Sequence, residues 1–410
     1  MSRLTSWIPE ARRERAVTFA ENHRSTTIFI AMAIASVFLI VLPRFPPLNF
    51  LQGANPWYDA FANAGVFVLL AMGLNVVVGL AGLLDLGYAA FFAIGAYTYA
   101  YSNSPFSGQD LPFFPMLVIG ATIAAVFGIA LGAPTLRLRG DYLAIMTLGF
   151  GEIVPIVFLN MDPYTNGTNG IGGIYRPEPL PFLGEFSPLT SFNYFFVMLI
   201  IVTVAMMLMY RLFDSRIGRA WMAIREDELA ASANGINTVV TKLLAFALGA
   251  TTSGFAGVFN ASKLTIVSPD QFQFTVSFTV LAMVIVGGMG NIWGVAAGAF
   301  IVYMLQVVVL RQLSDVTEGL RNLGFPVINI GPINLDIATI RFQEYQYLLF
   351  GIALVIMMLK RPEGLFPSRT RKAELHAEED LGEESPALLG AVGGAPGEED
   401  MSGGSGEAGR

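Results

Sequence analysis

The chain has no cysteine among its 410 residues. Disulfides, iron–sulfur clusters and thiolate zinc sites are therefore excluded. Histidine is nearly absent: His23 and His376 both lie in polar terminal segments, which excludes a histidine-centred catalytic site or proton relay in the apolar body. Charge is scarce too. Asp, Glu, Lys and Arg make up 13% of the residues, against roughly 25% in soluble domains. The four lysines are Lys242, Lys263, Lys360 and Lys372, and none follows a glycine. The chain thus has no P-loop lysine to hold nucleotide phosphates. Any ATP hydrolysis that drives it must come from another chain.

What fills the space is apolar. Hydrophobic residues make up 54% of the chain, and the charges are confined to islands between long apolar runs. A membrane-spanning helix needs about 20 such residues. The first run, Thr26–Leu42, follows a basic arm, residues 1–25. It is followed by Pro43-Arg44-Phe45-Pro46-Pro47 rather than by a small-residue cleavage site, so it reads as an uncleaved first helix and not as a signal peptide. Nine further spans are expected at Trp57–Gly79, Leu86–Ser102, Phe113–Ala133, Asp141–Asn160, Phe192–Leu212, Thr241–Ser262, Phe274–Gly287, Ile292–Leu310 and Tyr345–Leu359. The fold class is an all-α polytopic membrane protein of about ten helices. Leu86–Ser102 and Phe274–Gly287 are short and flanked by glycine; if both are broken or re-entrant helices shielded by protein, eight spans remain.

The positive-inside rule orients these spans. With the N-terminus in the cytoplasm, cytoplasmic segments hold 17 Lys and Arg and external segments hold six, leaving Arg410 aside. The cytoplasmic set includes Arg137, Arg139 and five residues within 211–242. Both termini are then cytoplasmic, in the eight-helix and the ten-helix arrangement alike. The net charge of −7 belongs mostly to the tail 368–410, where ten acids face four bases. This Gly-, Glu-, Ala- and Ser-rich tail lacks the apolar surface to fold, and disorder is expected there. The domain plan is an arm (1–25), a transmembrane body (26–367) and an acidic cytoplasmic tail (368–410).

Few polar residues lie within the spans. Glu152 falls inside Asp141–Asn160, and a carboxylate at that depth is costly and functional by default. Asn75 and Thr147 suit helix–helix hydrogen bonds or a path lining, and Asp85 suits a cap in the turn between helices. Gly79, Gly82, Gly287 and Gly288 permit close helix packing; the sharper reading places them along a path. Val76–Gly82 is faintly echoed by Val284–Gly290, as an internal repeat would produce. The longest internal cytoplasmic segment, 213–240, reads as a turn, a short amphipathic helix and a glycine stop at Gly235. Its charged residues are Asp214, Arg216, Arg219, Arg225, Glu226, Asp227 and Glu228. Pattern alone allows either a solvated loop or a docking helix for a cytoplasmic partner.

Several segments, in order, resemble LivM-type permeases of the branched-chain amino acid ABC importers. They are Gly73-Leu74-Asn75, Gly79-Leu80-Ala81-Gly82-Leu83-Leu84-Asp85-Leu86-Gly87, Gly95-Ala96-Tyr97, Leu136-Arg137-Leu138-Arg139-Gly140-Asp141-Tyr142 and Thr147-Leu148-Gly149-Phe150-Gly151-Glu152. Asn169-Gly170-Ile171, Gly218-Arg219, Ala223-Ile224-Arg225-Glu226-Asp227-Glu228, Gly235-Ile236-Asn237, Val286-Gly287-Gly288-Met289-Gly290 and Arg361-Pro362-Glu363-Gly364-Leu365 complete the set. The resemblance implies a prokaryotic inner-membrane transport subunit with no catalytic residues, cofactor, metal or nucleic acid. It further implies a second homologous permease subunit, two cytoplasmic P-loop ATPase subunits and an external substrate-binding protein. Segment 213–240 would be the ATPase-docking loop, with Arg216, Gly218, Arg219, Arg225, Glu226, Asp227, Glu228 and Gly235 as coupling residues. Asn75, Gly79, Gly82, Thr147, Glu152, Gly287 and Gly288 are the candidate path residues. Branched-chain amino acids are the expected substrate. Urea or short amides are the alternative within the family, and an ion-coupled carrier using Glu152 is the alternative outside it. A membrane enzyme is disfavoured, because no cluster of His, Cys or acids lies within the spans.

Overall fold

The computed structural model describes residues 35–44, 55–135, 138, 140–181, 184–187, 190–309, 328–330, 333–335, 345–361 and 364–366. Helices stand where apolar runs stood. They are α1 (Asn55–Leu74, continued by a π-helix, Asn75–Leu80), α2 (Ala89–Ser102), α3 (Phe113–Thr135), α4 (Asp141–Asn160) and α5 (Ser191–Phe213). After the interhelical segment come α6 (Arg216–Glu226) and α7 (Glu228–Ala233), then α8 (Thr238–Leu264), α9 (Phe274–Gly287), α10 (Ile292–Tyr303) and α11 (Gln346–Lys360). Residues 35–41 are helical, at the position of the expected first span. The rest of that span, the arm 1–25, Arg137, Arg139 and the tail 368–410 lie outside the described residues. Strands are two or three residues long: β1 (Ile171–Gly172) pairs antiparallel with β2 (Ile266–Val267), and β3 (Ile328–Ile330) with β4 (Ile333–Leu335).

Six helices among the described residues are individually long and apolar enough to cross a membrane: Asn55–Leu80, Phe113–Pro134, Asp141–Asn160, Ser191–Phe213, Thr238–Leu264 and Pro269–Gly287. Ile292–Val308 and Phe350–Lys360 are shorter apolar helices. At 14 residues, α2 extends about 21 Å at 1.5 Å per residue, less than the roughly 30 Å hydrocarbon core. It is buried at 11 of those 14 positions, so protein rather than lipid surrounds it. The first turn of α9 meets its start, where the Ala89 N–H donates to Ser277 Oγ at 2.8 Å.

The centre is built by close approach of α8 to α1, α2 and α3. Glycine makes this possible. A Cβ on Gly95 of α2 would sit 2.5 Å from the Gly254 carbonyl oxygen of α8, and one on Gly257 would collide with the Phe92 carbonyl. Larger side chains would hold the helices apart and forfeit dispersion contacts over their whole length. Lys263 ties the far end of α8 to α1: its ammonium lies 2.8 Å from Asp59 Oδ1 and donates to Asn63 Oδ1 at 2.6 Å.

Candidate functional site

The 213–240 segment forms two helices rather than the single short helix its pattern suggested. Ser215 caps α6, accepting from the Gly218 N–H at 3.2 Å. Asp227 turns extended (φ −153) and caps α7, accepting from the Leu229 and Ala230 N–H groups at 2.8 and 3.0 Å. A short acceptor side chain that competes for backbone donors breaks a helix in this way. Gly235, at φ 84, follows the end of α7.

The hairpin is two-faced. Its inner side buries Gly218, Trp221, Ile224 and Ala231. The Trp221 indole N–H donates to the Thr241 carbonyl at 2.6 Å, which anchors α6 on α8. Two charged residues also turn inward. Arg225 donates to the Gly79 carbonyl at 2.6 Å, and Glu228 pairs with Lys242 at 2.6 Å. The outer side exposes Arg216, Ile217, Arg219, Glu226, Asp227 and Leu229. The sequence pattern grouped all the charges together; the fold separates them into an anchoring pair and a presented set.

Arg225 lands on the end of α1, where several path candidates gather. Asn75 opens the π-helix and is buried; its Oδ1 accepts from the Gly290 N–H at 2.9 Å. Gly82 and Gly290, matched in the internal echo, both have positive φ (68 and 78) and both follow helix ends. Here their role is to let the chain turn. Gly287 packs against Gly294 and Gly298, and Gly288 lies beside Gly364. Thr147 is also buried: its hydroxyl accepts from the Leu86 N–H and donates to the Ala144 carbonyl, both at 3.0 Å. Asp85 caps the turn rather than helix α2, accepting from the Gly87 N–H at 2.9 Å. Of the seven path candidates, six therefore lie in interhelix packing and hydrogen bonding.

Glu152 is the seventh and differs from the rest. It is exposed on α4, among exposed Ile145, Ile153, Ile156 and Val157. It opens on a cavity of about 350 Å³ between α4 and the segment 269–275, lined also by Asp270, Gln273 and Thr275. A larger crevice of about 880 Å³ between α3, α5 and α8 is lined by apolar residues and two threonines. Among the described residues, no group of three or more His, Asp or Glu is placed to hold a metal.

Apolar helices, a helical hairpin seated at one end and a polar cavity against an exposed helix make a multi-pass membrane protein with the parts of a transport subunit. The chain belongs to the family described as branched-chain amino acid transport system / permease component, whose model matches residues 59–358. It is 39% identical over 341 residues to the high-affinity branched-chain amino acid transport system permease protein LivM of Salmonella typhimurium strain LT2, covering 78% of this chain and 72% of the relative. Against LivM of Escherichia coli K12 the identity is 40% over 323 residues, covering 74% and 68%. A probable LivM of Methanocaldococcus jannaschii is 25% identical over 74% of this chain and 91% of its own length. No solved structure matches the chain.

Proposed function

We propose that this chain is a translocating subunit of an ATP-driven importer of branched-chain amino acids in a prokaryotic inner membrane, with both termini cytoplasmic. A second homologous permease completes the path, two P-loop ATPases dock on α6–α7, and an external binding protein delivers substrate. The observation that carries this reading is the two-faced hairpin. Its inner face is fixed to α8 and α1 by Trp221, Arg225 and Glu228, while its outer face offers Arg216, Arg219 and Glu226 for charge-assisted bonds. A rigid seat with a charged outer face suits receipt of force from a cytoplasmic engine. The names of the relatives favour amino acids over urea.

Glu152 fits as a polar element of the path wall. A carboxylate on a lipid-facing surface is costly, so the exposed face of α4 belongs against water or the second permease. The test is reconstitution with the partner subunits and measurement of ATP-dependent leucine uptake. Charge reversal at Arg219 and Glu226 together should lower uptake on the order of tenfold while this chain remains folded. Unchanged uptake in that double variant would remove the hairpin from the coupling interface.

A further inference from the structure

Between α1 and α2 the chain runs without helix from Ala81 to Tyr88, and this stretch touches both the docking hairpin and α4. At its start, Arg225 of α6 donates to the Gly79 carbonyl at 2.6 Å. The arginine stem lies against Gly82, where a Cβ would sit 2.7 Å from Arg225 Cγ. A cation at a helix C-terminus meets carbonyls left over by the helix and the negative end of its dipole, so this bond holds α6 to α1 in one geometry.

At its far end the stretch grips α4. Leu86 donates to Thr147 Oγ1, a Cβ on Gly87 would collide with the Thr147 carbonyl, and one on Gly151 would sit 2.9 Å from Gly87 Cα. Leu143, Ala144, Thr147 and Gly151 are the buried residues of α4, one stripe at helical spacing. The buried side of α4 thus centres on this joint. Between the two ends sits Asp85, whose Oδ1 is held by Gly87 and whose buried Oδ2 has no hydrogen-bond partner. It borders a void of about 10 Å³ shared with Thr147 and Phe150. Asp85 therefore ties the stretch through Oδ1 alone.

We propose that Ala81–Tyr88 is a mechanical relay, and that Arg225 is a positioning residue which delivers displacement of the docking hairpin through Gly79 and Gly82 to Thr147 and the Glu152-bearing face of α4. This rests on the importer reading above. Arg225 acts inside the subunit, not on the ATPase surface; the outer residues Arg219 and Glu226 take that role. Within this chain the buried stripe of α4 lies at this narrow joint, so displacement of the stretch bears directly on α4.

The absence of cysteine makes the test direct. A label on a single cysteine replacing exposed Ile145, paired with one replacing exposed Val239 at the start of α8, reports the distance of α4 from the body in the assembled, reconstituted transporter. In the parent, ATP binding should change this distance. Arg225→Ala should assemble with the ATPases and keep ATP hydrolysis within about twofold, while uptake falls on the order of tenfold and the distance change is lost. Arg225→Lys, which keeps one donor, should recover part of both. Thr147→Val, at the far end of the stretch, should give the same split. Loss of ATPase assembly in Arg225→Ala, or normal uptake in Thr147→Val, would overturn the relay. A parent with no ATP-dependent uptake would overturn the importer reading itself, a distinct result.

Discussion

Helices α1 and α4 look alike in sequence and live in opposite surroundings. Both are long and apolar with a few polar residues, yet 89% of the apolar window in α1 and its π-helical continuation is buried in the protein against 22% for α4. Asn75, where α1 passes into its π-helix, is buried and bonded to Gly290; Glu152 in α4 is exposed beside a cavity. Hydropathy reports that a helix prefers lipid or core to water, and these two solvents are nearly equivalent to a leucine. The small residues separate them. Along α1, a Cβ on Gly73 would strike the Thr252 and Tyr88 hydroxyls, while Gly149 on α4 has no neighbour within 4 Å.

The strongest way to break this contrast is to enlarge a glycine on each side of it. Gly257→Val forces α8 away from the Phe92 carbonyl of α2 and should cost about 3 kcal/mol or more, read as loss of a monodisperse peak in detergent chromatography. A smaller but still large effect is expected at the tie between α1 and α8. Lys263→Ala leaves Asp59 and Asn63 without their buried cation; removing one partner of such a pair costs about 3 kcal/mol in buried cases, and here less, because Asp59 is half exposed. A melting temperature equal to that of the parent would show that the tie is dispensable. Asn75→Leu comes next. It strands the Gly290 N–H, at about 1–3 kcal/mol, and should lower the melting temperature without touching any exposed surface. The smallest effect belongs to α4. Gly149→Ala meets open space and gains helix propensity, about 0.5–1 kcal/mol, so the melting temperature should stay level or rise slightly. Severe loss of folding in that variant would mean that α4 is covered on that side.

Much of this architecture was legible in the sequence because periodicity and composition act locally. The helix at Asp141–Asn160 begins and ends at its expected residues, and α3, α5 and α8 fall within a few residues of theirs. The 213–240 segment was legible as a segment but not as a hairpin, since the break depends on Asp227 capping α7 instead of extending α6. The direction of Arg225 was not legible at all: nothing within 215–237 indicates that it meets a carbonyl 146 residues away. The same holds for the glycines. Gly79, Gly82, Gly287 and Gly288 carry no local sign of whether the missing side chain makes room for a path or for a neighbouring backbone. Only tertiary contact supplies it: a Cβ on Gly287 would meet the Gly294 backbone, one on Gly82 the Arg225 side chain, and one on Gly79 the Asn75 amide and the Gly290 N–H. Glu152 stood out because a carboxylate in an apolar helix violates the local pattern, and such violations gather at functional positions.

The contrast between α1 and α4 also bears on what drives transport. If α4 is a path wall moved by an external engine, Glu152 need not carry an ion. If the chain works alone, that exposed carboxylate is the natural place for one. Reconstituted uptake of leucine separates the two, measured with ATP and no pH gradient and then with a gradient and no ATP, for the parent and for Glu152→Gln. The importer account predicts ATP-dependent uptake in the parent, largely retained in Glu152→Gln with at most a change in affinity, and none from the gradient alone. Gradient-driven uptake in the parent that disappears in Glu152→Gln would contradict it.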